Sequence, residues 1–341
     1  MKLRGAISGF GEVAARAHLP GWQSRPDVRI VAVHDPIAER RHLALRLIKN
    51  VRVYDDLHLM LAGERPDFLD IASPPALHAD AARAALEAGA HLVVEKPLCL
   101  TARDFDALRS IAAARSRVLM CVHNWKHAPV YRLAHELVAS GRVGVPRFVS
   151  LIRLRTEPAG RGGAGSKWRM DAALGGGILI DHGWHVFYLI RWLMGAPPNA
   201  VSARLQLGAG SGTEEAADLR IAFPGDRAGY CELSWRASTR RTSATLYADE
   251  ATLEIDEGRV RLISRAGKVE EFQPPDVPDD SYHPAWFAGV AADFQRAVSE
   301  GFSGATATQN LDEAKTALAA IIGARESNTV GRPVEIARLL A

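Results

Sequence analysis

Cysteine, lysine and long apolar runs are the scarce features of this 341-residue chain. The three cysteines, Cys99, Cys121 and Cys231, are scattered and odd in number. No two form a CxxC pair, so neither a disulfide framework nor a zinc ribbon is expected. Such usage fits a reducing cytoplasm. Only seven of the 42 basic residues are lysine, and no dense Lys/Arg run or basic tail occurs. With a net charge of +3, nucleic acid is not an expected partner. No stretch reaches the ~18 consecutive apolar residues that a membrane helix needs. The longest candidates are cut by Glu95 and Lys96, and by Asp181, His182 and Arg191. The apolar run between Met1 and Gly9 is too short for a secretory signal. What is present is an ordinary globular composition, 48% apolar and 24% charged. At ~100–200 residues per domain, the length suggests two domains.

The first third alternates short β-like runs with helical patterns. Strands are expected at Leu3–Ile7, Val28–Val33, Phe68–Ala72, His91–Val94 and Val118–Val122. Helices are expected at Val13–Arg25, Ala38–Ile48, His78–Ala88 and after Thr101. That alternation implies a parallel sheet with right-handed crossovers. Beyond residue 124, helices are read at Val130–Ser140, Asp181–Met194 and Asp312–Glu326. Between Ala200 and Phe272, short alternating runs separated by Gly and Asp turns read as antiparallel sheet. The expected fold class is α/β: an N-terminal doubly wound parallel sheet of the Rossmann type over 1–123, then an α+β domain over 124–341 with a large open, mainly antiparallel sheet. The glycine-rich loop Pro158–Ser166 is expected to shape a pocket.

Gly9-Phe10-Gly11-Glu12-Val13-Ala14 is a GxGxxA sequence between an expected strand and an expected helix. Its glycines allow a tight turn and close approach of a pyrophosphate to the helix N-terminus. Asp35 follows 24 residues after Gly11, at the end of the second strand. A carboxylate there can accept hydrogen bonds from both ribose hydroxyls and repels a 2′-phosphate. NAD is therefore the expected cofactor. Arg40 and Arg41 in the next helix leave NADP open.

Glu95-Lys96-Pro97 ends an expected buried parallel strand, the edge at which doubly wound folds bind ligands. Pro97 keeps Lys96 out of the helical region. A lysine in a partly dry pocket can polarise a hydroxyl and help move its proton. With Gly9-Phe10-Gly11, His18-Leu19-Pro20, Asp35-Pro36, Ser73-Pro74-Pro75, His78, Asn124, Pro129, Trp168-Arg169, Gly175-Gly176-Gly177, Asp181, Gly183 and His185, the chain resembles the glucose–fructose oxidoreductase / inositol dehydrogenase / rhizopine-catabolism (Gfo/Idh/MocA) family nearly end to end.

Asp181 and His185 are i and i+4, so on a helix they share a face. A histidine beside a carboxylate is an acid/base pair near neutral pH. The resemblance implies that Lys96, Asp181 and His185 form a catalytic trio. It also implies cofactor contacts from Gly9, Phe10, Gly11, Glu12, Val13, Asp35, Ser73, Pro74, His78, Glu95, Trp168 and Arg169. For Trp168, a structural role stays open. Asn124, Arg153, Arg155, His182 and Tyr282 are candidate substrate contacts. Arg153 and Arg155 alternate on a strand, and a solvated face is the open alternative for them. His182 and Lys126 depart from the family pattern, and no role is carried onto Lys126. A metal held by Asp181, His182 and His185 is an alternative without a further ligand cluster to support it, so no metal is expected.

The resemblance implies an NAD(P)-dependent dehydrogenase acting on a secondary hydroxyl of a sugar, nucleotide-sugar, inositol or amino-sugar derivative, with its active site in the cleft between the domains. Two alternatives stay open: an NAD-dependent glycoside hydrolase of the same superfamily, and a nucleotide-binding sensor or regulator without turnover. An open sheet face needs cover, so a homodimer or homotetramer through the C-terminal sheet is expected.

Overall fold

Six parallel strands come from the alternating first third of the chain. They are β1 (Leu3–Ser8), β2 (Val28–His34), β3 (Arg52–Tyr54), β4 (Phe68–Ile71), β5 (His91–Val94) and β6 (Leu119–Cys121). In the computed structural model, which describes residues 2–159, 167–256, 258–275 and 282–340, they lie in the order β3-β2-β1-β4-β5-β6. Every pairing in this sheet is parallel. The order reverses between β1 and β4, the point at which doubly wound sheets hold their ligands. The strands carry near-continuous apolar runs because both faces of a parallel sheet are covered; β4 is buried at all four positions. Two elements were not anticipated. β3 is three residues long with Arg52 exposed, and the helix Leu57–Glu64 starts where the Asp56 side chain accepts from the Leu59 N–H. The helix at Ala102–Ala114 is capped by Thr101 as expected.

The chain divides into two compact units, and neither is continuous in sequence. The first is Met1–Asn124 with Asp280–Ala314; the second is Trp125–Asp279 with Lys315–Ala341. This differs from the contiguous 1–123 and 124–341 division. The cause is the helix Pro284–Glu300, for which no expectation was made. It buries Phe287, Val290, Ala291, Phe294 and Ala297, the i, i+3, i+4 stripe of a core-facing helix. Phe287 and Phe294 meet Trp22 edge-on, at ring separations of 5.5 and 5.9 Å. Phe294 also lies 5.2 Å from Phe68 on β4.

The second unit holds nine strands: β7 (Pro146–Leu154), β8 (Ala200–Leu207), β9 (Glu214–Phe223), β10 (Arg227–Ser234), β11 (Arg241–Ala248), β12 (Ala251–Asp256), β13 (Arg259–Ser264), β14 (Val269–Phe272) and β15 (Val334–Glu335). Their order is β14-β13-β12-β11-β7-β10-β9-β8-β15, with β7 and β10 the one parallel pair among them. Burial alternates along the strands, with Val149 and Leu151 on β7, Leu219 and Ile221 on β9, Cys231 and Leu233 on β10, and Ala244 and Leu246 on β11 turned inward. That period of two is the pattern of a sheet covered on one face. The helix Trp184–Met194 packs on β7 and is buried at nine of its eleven positions. Of the stretch 158–166, residues 160–166 lie outside those described. Among the described residues, no helix is long and apolar enough to cross a membrane.

Candidate active site

The glycine loop in the first unit is held by backbone contacts. Gly9 has φ +87°, and a Cβ there would sit 2.6 Å from the Ser73 nitrogen. Only glycine lets the loop after β1 pass this close to the loop after β4. The Phe10 N–H donates to Asp35 Oδ2 at 2.7 Å, and the Ile37 N–H donates to Oδ1 at 2.9 Å. Asp35, wholly buried, thus pins the loop itself. Its Oδ1 keeps a second lone pair. Arg40 Nη1 stands 3.5 Å from Oδ2, and Arg41 Nη1 donates to the Asp35 carbonyl at 2.8 Å. Gly11 and Val13 are partly buried at the start of the following helix, and Glu12 is exposed and paired with Arg16. Pro74 precedes the turn Pro75–Leu77.

His78 has a different place from the one expected. It is fully buried, with Nδ1 2.7 Å from the Pro97 carbonyl oxygen and Nε2 2.8 Å from the Ser73 carbonyl oxygen. Burial holds its pKa below the ordinary histidine value. The ring braces the two loops and presents neither nitrogen to a ligand.

Glu95 also faces inward. Its Oε1 lies 3.0 Å from His18 Nε2, and its Oε2 accepts the Lys96 N–H at 3.0 Å. His18 Nδ1 lies 3.0 Å from both oxygens of Asp70, and the Trp22 indole N–H donates to Asp70 at 2.7 Å. Phe287 stacks on the imidazole at 3.8 Å. Burial alone would lower the His18 pKa, but Asp70 and then Glu95 outweigh it and raise it to about 9. Burial alone would raise the Glu95 carboxyl; the His18 bond and charge hold it below its ordinary value. The backbone of Lys96 is thus anchored on a buried Asp–imidazolium–Glu chain that sequence reasoning missed. His18 was visible in the His18-Leu19-Pro20 motif, but Asp70 was hidden in an apolar run.

In the second unit, Asp181 lies in a single π turn, Leu179–Gly183, that runs into the helix Trp184–Met194. Such turns recur at functional sites. Arg169 Nε donates to Asp181 Oδ2 at 3.0 Å, and His182 Nε2 stands 3.7 Å from the same oxygen. The glycines before the turn explain how Arg169 reaches it. A Cβ on Gly176 would lie 2.5 Å from the carbonyl oxygens of Trp168 and Arg169. Trp168 lies under the Arg169 guanidinium at 4.5 Å. His185 Nδ1 is 2.8 Å from the Tyr188 hydroxyl, whose oxygen accepts the Trp125 N–H at 3.0 Å. The imidazole is stacked on Trp125 at 4.3 Å and 5°. Arg153 lies over the same indole at 4.5 Å. Tyr188 and Trp125 were not among the expected site residues, although Tyr188 stands at i+3 from His185.

Arg153 and Arg155 are not a solvated face: both are partly buried and share Thr242 Oγ1. Tyr282 lies on the first unit, under the Arg16 guanidinium at 4.2 Å. Asn124 Oδ1 is buried without a hydrogen-bond partner. Among the described residues, no group of three His, Cys, Asp or Glu is placed to hold a metal ion.

Residues 3–123 match the family described as "Oxidoreductase family, NAD-binding Rossmann fold", and residues 131–254 match the "GFO/IDH/MocA C-terminal domain". The chain belongs to the Gfo/Idh/MocA oxidoreductase family. Among its relatives, the D-glucoside 3-dehydrogenase of Escherichia coli (strain K12) is 30% identical over 195 residues, 57% of this chain and 55% of that one. The match thus spans about half of that relative's length. A dTDP-3,4-didehydro-2,6-dideoxy-alpha-D-glucose 3-reductase of Streptomyces violaceoruber is 31% identical over 65% of this chain and 64% of its own. An oxidoreductase from Agrobacterium radiobacter, crystallised with NAD+, L-tartaric acid and magnesium, has the same fold, with a TM-score of 0.86 at 19% identity over 99% of this chain and 100% of that one.

The first unit of this Gfo/Idh/MocA protein fits the dinucleotide that its family binds. Its glycine loop leaves no room for a side chain at Gly9. Beside the loop, the Ser73 hydroxyl is buried without a protein partner, and such a group calls for one.

Proposed function

We propose that this protein is an NAD-dependent dehydrogenase acting on a secondary hydroxyl of a sugar, nucleotide-sugar, inositol or amino-sugar derivative. The observation that carries the proposal is the fixed imidazole of His185, stacked on Trp125 and tied through Nδ1 to Tyr188. When bound, the nicotinamide supplies the hydride acceptor or, in the reverse direction, the donor. His185 takes the hydroxyl proton on Nε2. Its Nδ1–H then donates to the Tyr188 oxygen, which keeps the ring from turning as it becomes charged. Asp181, held by Arg169, supplies negative charge one helical turn away and favours that imidazolium. Lys96, whose backbone N–H is fastened to Glu95, stabilises the oxygen as it becomes alkoxide-like. NAD is favoured over NADP because the Asp35 carboxylate stands where a 2′-phosphate would be repelled.

Replacing Lys96 or His185 with alanine is expected to lower kcat by ~10²-fold or more, with NAD affinity little changed. Steady-state kinetics and NAD titration by fluorescence quenching measure the two quantities. Wild-type turnover in both variants would overturn the proposal.

The proposal extends to assembly and location. The outward-facing Ser150, Ile152, Tyr230 and Thr245 are half-buried, and Tyr247 is 50% exposed. We assign this sheet face to a homodimer or homotetramer contact; light scattering at the monomer mass of 36.9 kDa would refute it. The three cysteines are buried and unpaired, which supports a cytoplasmic location.

A further inference from the structure

The inner face of β7 changes character along its length. Val149 and Leu151 are buried apolar residues, and the next two inward positions are Arg153 and Arg155. Thr242 on β11 is directly opposite Arg153, and Leu233 on β10 lies beside it. Two residues past Leu233 comes Trp235, 3% exposed. Arg153 Nη1 donates to Thr242 Oγ1 at 2.8 Å, and Arg155 Nη2 donates to the same oxygen at 3.0 Å. Arg155 Nη1 donates to the carbonyls of Leu154 and Arg241 at 2.6 and 3.1 Å. Among the described residues, no carboxylate forms an ion pair with either guanidinium. Two buried donors here, Arg153 Nε and Trp235 Nε1, have no acceptor. The charge of Arg240 reaches both arginines.

Guanidiniums sharing one hydroxyl repel, and burying them without a counter-charge is unfavourable. Arg153 is pushed down to about 9 and Arg155 to about 10, in each case by burial first and then by a neighbouring arginine. The surroundings offer donors and positive charge; the one carboxylate whose charge reaches Arg153, Asp181, is already held by Arg169. The fork geometry of arginine matches a carboxylate or phosphate bidentately. Arg153 and His185 lie against the same indole, so they are no farther apart than the faces of one Trp125 ring allow.

We propose that this end of β7 is an oxyanion subsite, in which Arg153, Arg155 and Arg240 grip a carboxylate or phosphate carried by the substrate away from the reacting hydroxyl. The proposal rests on the dehydrogenase reading and narrows its substrate class to acidic sugar derivatives, either sugar acids or phosphorylated sugars. Neutral hexoses and inositols then lack the group that these arginines await.

The test is isothermal titration of the NAD-loaded protein with matched hexose sets in the gluco, galacto and manno series. Each set has the neutral sugar, its 6-carboxylate and its 6-phosphate. In at least one series an anionic member is expected to bind ten- to a hundredfold tighter than the neutral one. Which anion wins separates a carboxylate from a phosphate. Arg155→Gln should narrow the difference at least tenfold, and Arg155→Lys should restore part of it. Arg240→Gln, at an exposed position, should narrow it too and puts little of the fold at risk. Equal binding of the neutral member in every series, no binding by any anionic member, or an undiminished difference in all these variants would overturn the proposal. NADH formation from the tightest-binding member separates the two readings. An anion preference without NADH formation fails the dehydrogenase reading and leaves the subsite standing. NADH formation from neutral sugars without anion preference does the reverse.

Discussion

His18 in the first unit and Arg153 in the second are both cations withdrawn from water, but their surroundings treat the charge in opposite ways. His18 sits between Asp70 and Glu95, with Trp22 completing the hydrogen bonds of Asp70. Arg153 has another arginine for a neighbour, a shared hydroxyl for an acceptor and an Nε with none. The first arrangement is complete in the protein alone and holds the Lys96 backbone where it is. The second is incomplete and is suited to a group that arrives from outside. A compensated buried charge thus reads as architecture, and an uncompensated one as a receptor.

Removing each charge should show the contrast most strongly. His18→Ala leaves Asp70 and Glu95 facing each other without their cation and should cost about 3–5 kcal/mol of stability. Arg155→Gln relieves a repulsion and should stay within about 1 kcal/mol of wild type or exceed it. Equilibrium urea unfolding followed by tryptophan fluorescence measures both, and equal losses would dissolve the distinction. The pH dependence is the next largest effect. The folded pKa of His18, about 9, lies above its ordinary 6.5, so its contribution is full below pH 6.5 and is lost as pH rises through 9. The Glu95 pKa is depressed below 4.5, so its contribution is present above that value and lost on acidification. The contribution of this His18–Glu95 pair should therefore be greatest between pH 4.5 and 6.5 and fall by on the order of 3 kcal/mol towards pH 9. Urea midpoints across that range in wild type and His18→Ala would show whether the decline belongs to His18. The smallest effect concerns Asp35, a carboxylate that serves both architecture and ligand. Asp35→Ser should free Arg40 and shift the NAD/NADP ratio of kcat/KM about tenfold towards NADP; an unchanged ratio would assign Asp35 to the loop alone.

The parallel sheet was readable because its strands are short apolar runs ended by Gly, Pro and Asp, all of them local signals. The Asp181–His185 spacing is a local signal too, but the expected helix Asp181–Met194 begins instead as the π turn Leu179–Gly183, which spacing alone does not announce. What else escaped notice depends on residues distant in sequence. Nothing near His18 announces Asp70 or Phe287. The apolar stripe of Pro284–Glu300 carries no sign of its destination against Trp22. Arg153 and Arg155 look like alternating strand charges, since a sequence shows where a charge is but not whether a carboxylate faces it. His78 was misplaced because its motif marks a position next to the cofactor loop, while the direction of its ring is set by the carbonyls of Ser73 and Pro97.

The discontinuity of the first unit bears on how the chain is made. Residues 1–124 leave the ribosome without Phe287 and Phe294, the rings that cover His18 and Trp22. At ~5–20 residues per second, the intervening stretch takes about ten to thirty seconds to synthesise. The second unit waits as well, since Lys315–Ala341 belongs to it. The nascent protein must therefore hold an unfinished nucleotide-binding half in reserve while most of the second unit is made, and that half is completed first, once Ala314 has emerged.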